Sequence, residues 1–145
     1  MPRLSLPLAA LLCTATALAA HQGVQNPGVQ ARMEAMGEIA EEVKKIAAMA
    51  REEEPFDPDL ARASAARIAE QAAVMPALFE APEDDPKSEA LPAIWTAFDD
   101  FTAQAQALEQ LALELAQGIA MPEDLGPAMQ ALGRSCGSCH KTYRE

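Results

Sequence analysis

Apolar residues recur at alternating spacings of four and three from about Pro27 to Glu53, at Val29, Met33, Met36, Ala40, Val43, Ala47 and Ala50. That period predicts an amphipathic helix with a bundle-type seam. Glu34, Glu38, Glu41, Glu42, Lys44 and Lys45 fall between the apolar positions and predict a solvated outer face. Pro55 and Pro58 interrupt the pattern, and Asp57 before Pro58 makes a good N-cap and first-position pair for a second helix from about Pro58 to Phe79. Its inner stripe is Ala65, Ile68, Ala72, Met75 and Phe79, and Pro76 predicts a kink or an early end. Residues Glu80 to Leu91, rich in charge and proline, predict a loop. A third helix is expected from about Pro92 to Ala120 on an unbroken stripe of Ile94, Phe98, Phe101, Ala105, Leu108, Ala112, Leu115 and Ile119. After Met121 and Pro122 a fourth carries Leu125, Met129, Leu132, Cys136, Cys139 and Tyr143. Four such segments with short connections predict an all-α chain folded as an antiparallel four-helix bundle.

The first twenty residues follow different rules. Arg3 precedes an apolar run from Leu4 to Ala20 that ends in small residues, the pattern of a secretory signal peptide cut after Ala19 or Ala20. The run is too short and too punctuated for a stable bilayer span, so no membrane anchor is expected. Cys13 lies inside it behind the bulky Leu12 and is expected to be discarded, and His21 falls at the mature N-terminus. Residues 21–145 then form one domain, enough for a single core. Without Arg3 there are 10 basic against 22 acidic residues, a net charge of −12. Such a surface repels nucleic acid and anionic lipid and suits a basic or neutral protein partner. A monomer and a homodimer are both compatible with the pattern.

The chemistry sits near the C-terminus, where Cys136, Gly137, Ser138, Cys139 and His140 spell C-x-x-C-H. This is the attachment motif of a c-type haem: two thiols add to the vinyl groups and the following histidine supplies an axial nitrogen to the iron. On a helix, at about 100° per residue, positions 136, 139 and 140 share one face and can meet one porphyrin. A redox dithiol would call for a βαβ context, and a zinc site for further ligands. Export agrees with the motif, because c-type attachment in bacteria takes place outside the cytoplasm.

With the motif at the C-terminal end of a four-helix pattern, the chain resembles the class II c-type cytochromes, meaning cytochrome c′ and its low-spin relatives. The resemblance is carried by Cys136 to His140, by Lys141 to Arg144 after them, by Pro55 to Asp57, by Pro92 to Trp95, and by Arg32 four residues before Met36. It implies a periplasmic protein with one covalent haem and His140 as proximal ligand. Counted back from the Pro55 turn, Met36 takes the family's distal position. There it is either the sixth ligand of a low-spin electron carrier or an unligated gap-filler in a five-coordinate protein that binds nitric oxide or carbon monoxide. Met33, one turn earlier, competes for that place. By the same resemblance Arg32 and Arg144 are candidates for the haem propionates. Their alternatives are an exposed helix arginine and a charge at a helix C-terminus. Trp95 reads as core packing. Arg134, Lys141 and Arg144 gather near the motif as a candidate docking patch for a redox partner. No catalytic residue is expected.

Overall fold

The computed structural model describes residues 23–145, so the leader, Cys13 and His21 lie outside the described residues. Helix α1 spans Pro27–Ala50 and starts where expected: the Asn26 side chain accepts the N–H groups of Gly28 and Val29 at 2.8 and 3.1 Å, with Pro27 in the first turn. Helix α2, Pro58–Leu78, is capped by the Asp57 carboxylate, which accepts from Asp59 and Leu60 at 2.9 and 3.0 Å. Pro76 does not cut α2 short. It lies in the last turn, where little helix remains to be disturbed.

The expected third helix is broken. A short α3, Ala93–Thr96, stops at Ala97, whose φ of −133° and ψ of 45° leave the helical region, and α4 resumes over Phe98–Gly118. The break accompanies a tertiary bond, since the Trp95 indole donates at 2.8 Å to the Phe79 carbonyl at the end of α2. Trp95 is thus more than filling. After a 3-10 turn at Pro122–Asp124, α5 runs over Leu125–Tyr143. The principal contacts join α1 to α2, α2 to α4, α4 to α5 and α5 to α1, which closes a four-helix ring.

Buried Ile39 and Ile46, Ile68 and Ala72, Phe101 and Ala112, and Leu125 and Leu132 fill the centre from all four long helices. Along α2 every expected stripe residue is buried. Along α1 the buried face is rotated from the expected one: Val29, Arg32, Ala35, Ile39, Ile46, Ala47 and Met49 are inside. Met36, Val43 and Ala50 pack half-buried at its edge, and Ala40 is exposed. Two charged residues disguised that face. Arg32 is buried, and the Glu42 side chain, expected outside, is only 15% exposed and pairs with Lys45 at 2.8 Å.

The long connection from Phe79 to Pro92 is organised by the buried Asp85, which accepts the N–H groups of Gln25, Asn26 and Lys87 at 2.7, 3.1 and 2.9 Å. These bonds, Lys87 foremost, hold its carboxyl below the ordinary aspartate range. A depressed folded-state value means that the stabilisation is complete above the unfolded value of about 3.9 and is lost as pH falls through the folded one. Asp85→Asn should therefore destabilise the protein at pH 7, and its deficit against the parent chain should shrink below about pH 4. Urea unfolding across that range checks this, and a pH-independent deficit would show that the charge is not what matters.

Candidate functional site

Cys136, Cys139 and His140 lie in the last turns of α5, all half-buried, and Cys139 packs against the common core. Neither thiol is in a disulfide. Burial pushes both thiols up, and Cys136 and Asp100 add to the effect at Cys139. Thiols held protonated, eleven or more residues into a helix and far from its N-terminus, are unsuited to thiol–disulfide exchange, which needs a depressed pKa. A zinc site is equally short of donors: among the described residues no cluster of three or more His, Cys, Asp or Glu side chains could hold a metal ion. Burial, reinforced by Arg144 and opposed by Glu89, lowers the pKa of His140. The imidazole is therefore neutral at pH 7, the form that donates to a metal. Two free thiols and a neutral imidazole on one apolar-backed helix face are a donor set that fits a covalent haem.

The end of this helix is anchored from outside. The N–H of Leu91 donates to the Tyr143 carbonyl at 2.9 Å, and that of Glu145 to the Glu89 carbonyl at 3.0 Å. Ala90 and Arg144 form an isolated antiparallel bridge. Arg144 also pairs with the Glu89 carboxylate through Nε at 2.6 Å, so its charge is already answered at the surface. Tyr143 is buried, meets Phe101 edge-on at 5.4 Å between centroids, and donates its hydroxyl to Asp100 on α4. The sequence pattern marks neither Glu89 nor Asp100 nor the Tyr143 hydroxyl bond. Asp100 and Tyr143 are 43 positions apart, and no local pattern marks a pairing at that separation.

Met36 enters from α1, which packs on α5, and it contacts the same core cluster as Cys139. Met33 is half-buried without joining that cluster. Arg32, one turn before Met36, is only 4% exposed, which overturns the reading of an exposed helix arginine. Its guanidinium donates to the carbonyls of Leu78 at 2.9 Å, Glu83 at 2.9 Å and Ala81 at 2.5 Å. It also lies 4.7 Å from the Phe79 ring centre and 5.5 Å from that of Trp95. Three of its five N–H donors are thus committed to the end of α2 and the start of the long connection. Arg134 and Lys141 are exposed and, seven residues apart, share one face of α5 two turns from each other.

Comparison with known proteins accords with this arrangement. Residues 28–144 match the family described as Cytochrome C′. Cytochrome c-554 of Cereibacter sphaeroides is 38% identical over 123 residues, covering 81% of this chain and 80% of that protein. Cytochrome c-556 of Agrobacterium tumefaciens is 37% identical over 115 residues, covering 79% and 91%. The solved cytochrome c′ of Rhodopseudomonas palustris superimposes with a TM-score of 0.78 at 29% identity, covering 83% of this chain and 98% of its own. The chain belongs to the cytochrome c′ family and is a c-type haem cytochrome, not an enzyme.

Proposed function

We propose that the protein is a periplasmic electron carrier in which Cys136 and Cys139 hold one haem c, His140 is the proximal ligand and Met36 the distal one. The observation that carries the choice of electron transfer is the position of Met36. Its thioether-bearing side chain is half-buried at the α1 edge of the core that Cys139 joins from α5, whereas Met33 stays outside that cluster. The haem supplies a one-electron couple, and histidine–methionine ligation places such a couple at a potential suited to electron transfer. The rest is done by the chain. Cys136 and Cys139 fix the group to a helix clamped at its end by Glu89, Leu91 and Asp100. His140 offers a neutral nitrogen. The packed bundle restricts movement between oxidation states. Export agrees with the leader pattern, and among the described residues no helix is long and apolar enough to cross a membrane.

Absorption spectra of the ferric and ferrous protein test this reading. Low-spin bands in both states, with no rapid change on adding carbon monoxide, are expected. A high-spin ferric spectrum with ready carbon monoxide binding would give the site to gas binding, with Met36 as distal packing.

Docking is proposed at the α5 face of Arg134 and Lys141, with Arg144 a lesser contributor because Glu89 neutralises it. Lys141→Glu should change the second-order rate of electron exchange with a protein partner and the slope of that rate against ionic strength, and leave the haem spectrum unchanged. Equal rates at low salt would reduce Lys141 to a helix-end charge.

A further inference from the structure

Asp100 lies near the start of α4, opposite the last turn of α5. Its Oδ2 accepts the Tyr143 hydroxyl from α5 and, at 2.8 Å, the Gln104 side-chain amide from the next turn of α4. Tyr143 is itself immobilised: it is 3% exposed, packs edge-on against Phe101, and its carbonyl is held by Leu91. The carboxylate therefore has two partners, one of them rigid. It has no cationic partner among the ion pairs of the described residues. Tyr143 follows Cys139 by four residues, so the phenol that holds Asp100 stands on the same helix face as that thiol, one turn away.

We infer that Asp100 is a positioning residue for the redox centre: an uncompensated anion fixed by Tyr143 and Gln104 beside the Cys139 attachment point, which stabilises the oxidised, more positive state of the haem and so lowers its reduction potential. The inference rests on the reading of Cys139 as a haem thioether. Two further facts agree with it. The Tyr143 bond, followed by that from Gln104, holds the Asp100 carboxyl below the usual range, and the same contact pushes Tyr143 up to about 12. Both groups thus keep one charge state through neutral pH. The Asp100 charge also reaches Cys139, where it adds to the rise in that thiol's pKa. Hydrogen bonding and the local dielectric around the redox group are levers a protein has over haem potential in addition to the ligands of the iron.

The test is spectroelectrochemical titration of the purified holoprotein at fixed ionic strength, with haem content measured after denaturation in every sample. Asp100→Asn preserves the shape and the acceptor for Tyr143 but removes the charge, and its midpoint should move to more positive potential with the absorption spectrum unchanged. Asp100→Glu should stay nearer the parent value. Asp100 is exposed, so Tyr143→Phe keeps the charge at the surface but removes the bond that fixes its position, and it should shift the midpoint in the same direction by less. An Asp100→Asn protein with full covalent haem, parental spectrum and parental midpoint would overturn the inference. So would a larger shift for Tyr143→Phe than for Asp100→Asn. A parent protein without covalent haem would instead overturn the attachment reading, which keeps the two failures distinct.

Discussion

Replacing Met36 with leucine is expected to convert a low-spin spectrum to a high-spin one and to open the iron to carbon monoxide. Leucine nearly conserves volume, so the packing cost should stay below about 1.5 kcal/mol and the bundle should remain folded. Met36→Ala should give the same spectral change with a larger stability loss, on the order of 2 kcal/mol for a side chain that is only half-buried. Met33→Ala is the matched control: it lies one turn earlier, outside the core cluster, and should leave the spectrum low-spin. Absorption spectra with and without carbon monoxide, beside urea unfolding, separate ligation from packing. If Met36→Leu leaves the spectrum unchanged, the sixth ligand is another group or none, and the electron-carrier proposal loses its main support.

The second large effect is expected at Arg32. Its guanidinium satisfies three main-chain carbonyls and lies near two aromatic rings in a site that is 4% exposed. Arg32→Ala leaves those carbonyls without that donor and opens a space next to Phe79 and Trp95. A loss of about 3 kcal/mol follows, or roughly 10 °C in Tm for a domain of this size. Arg32→Lys should recover only part of it, because an ammonium cannot reproduce the planar fork that reaches residues 78, 81 and 83 together. Calorimetry of the three proteins gives the ranking. Unchanged stability with an altered haem spectrum would move Arg32 from support of the fold to contact with the haem itself.

Both residues show how far sequence order reaches. Asp57, followed by proline, marks the start of α2 in the sequence because capping is local chemistry, with acceptor and N–H groups within three residues of each other, and the structure adds the same arrangement at Asn26 for α1. The α2 stripe was equally legible, since Ala65, Ile68, Ala72 and Met75 bury themselves on one face at the helical period. The C-x-x-C-H motif identified the cofactor because its five residues carry the whole of its chemistry. The buried α1 face is rotated by about one position from the apolar stripe, because a hydrophobic count leaves out Arg32, which is buried with main-chain carbonyls as its partners, and Glu42, whose side chain is largely covered and paired with Lys45.

What the sequence by itself determined is therefore what lies within a turn or two of helix: four amphipathic segments, the Asp57 cap and the haem motif. Only the tertiary structure decided the break at Ala97, where a Trp95 bond to Phe79 accompanies the interruption of a continuous helical pattern. It alone decided the committed role of Arg32 across 46 to 51 positions, the seat of Asp85 under the chain entering α1, and the pairing of Asp100 with Tyr143. The physical reason is common to all of them. A buried polar group takes whichever partner the packing brings within hydrogen-bond distance, and that partner is chosen by the crossing of helices rather than by separation along the chain.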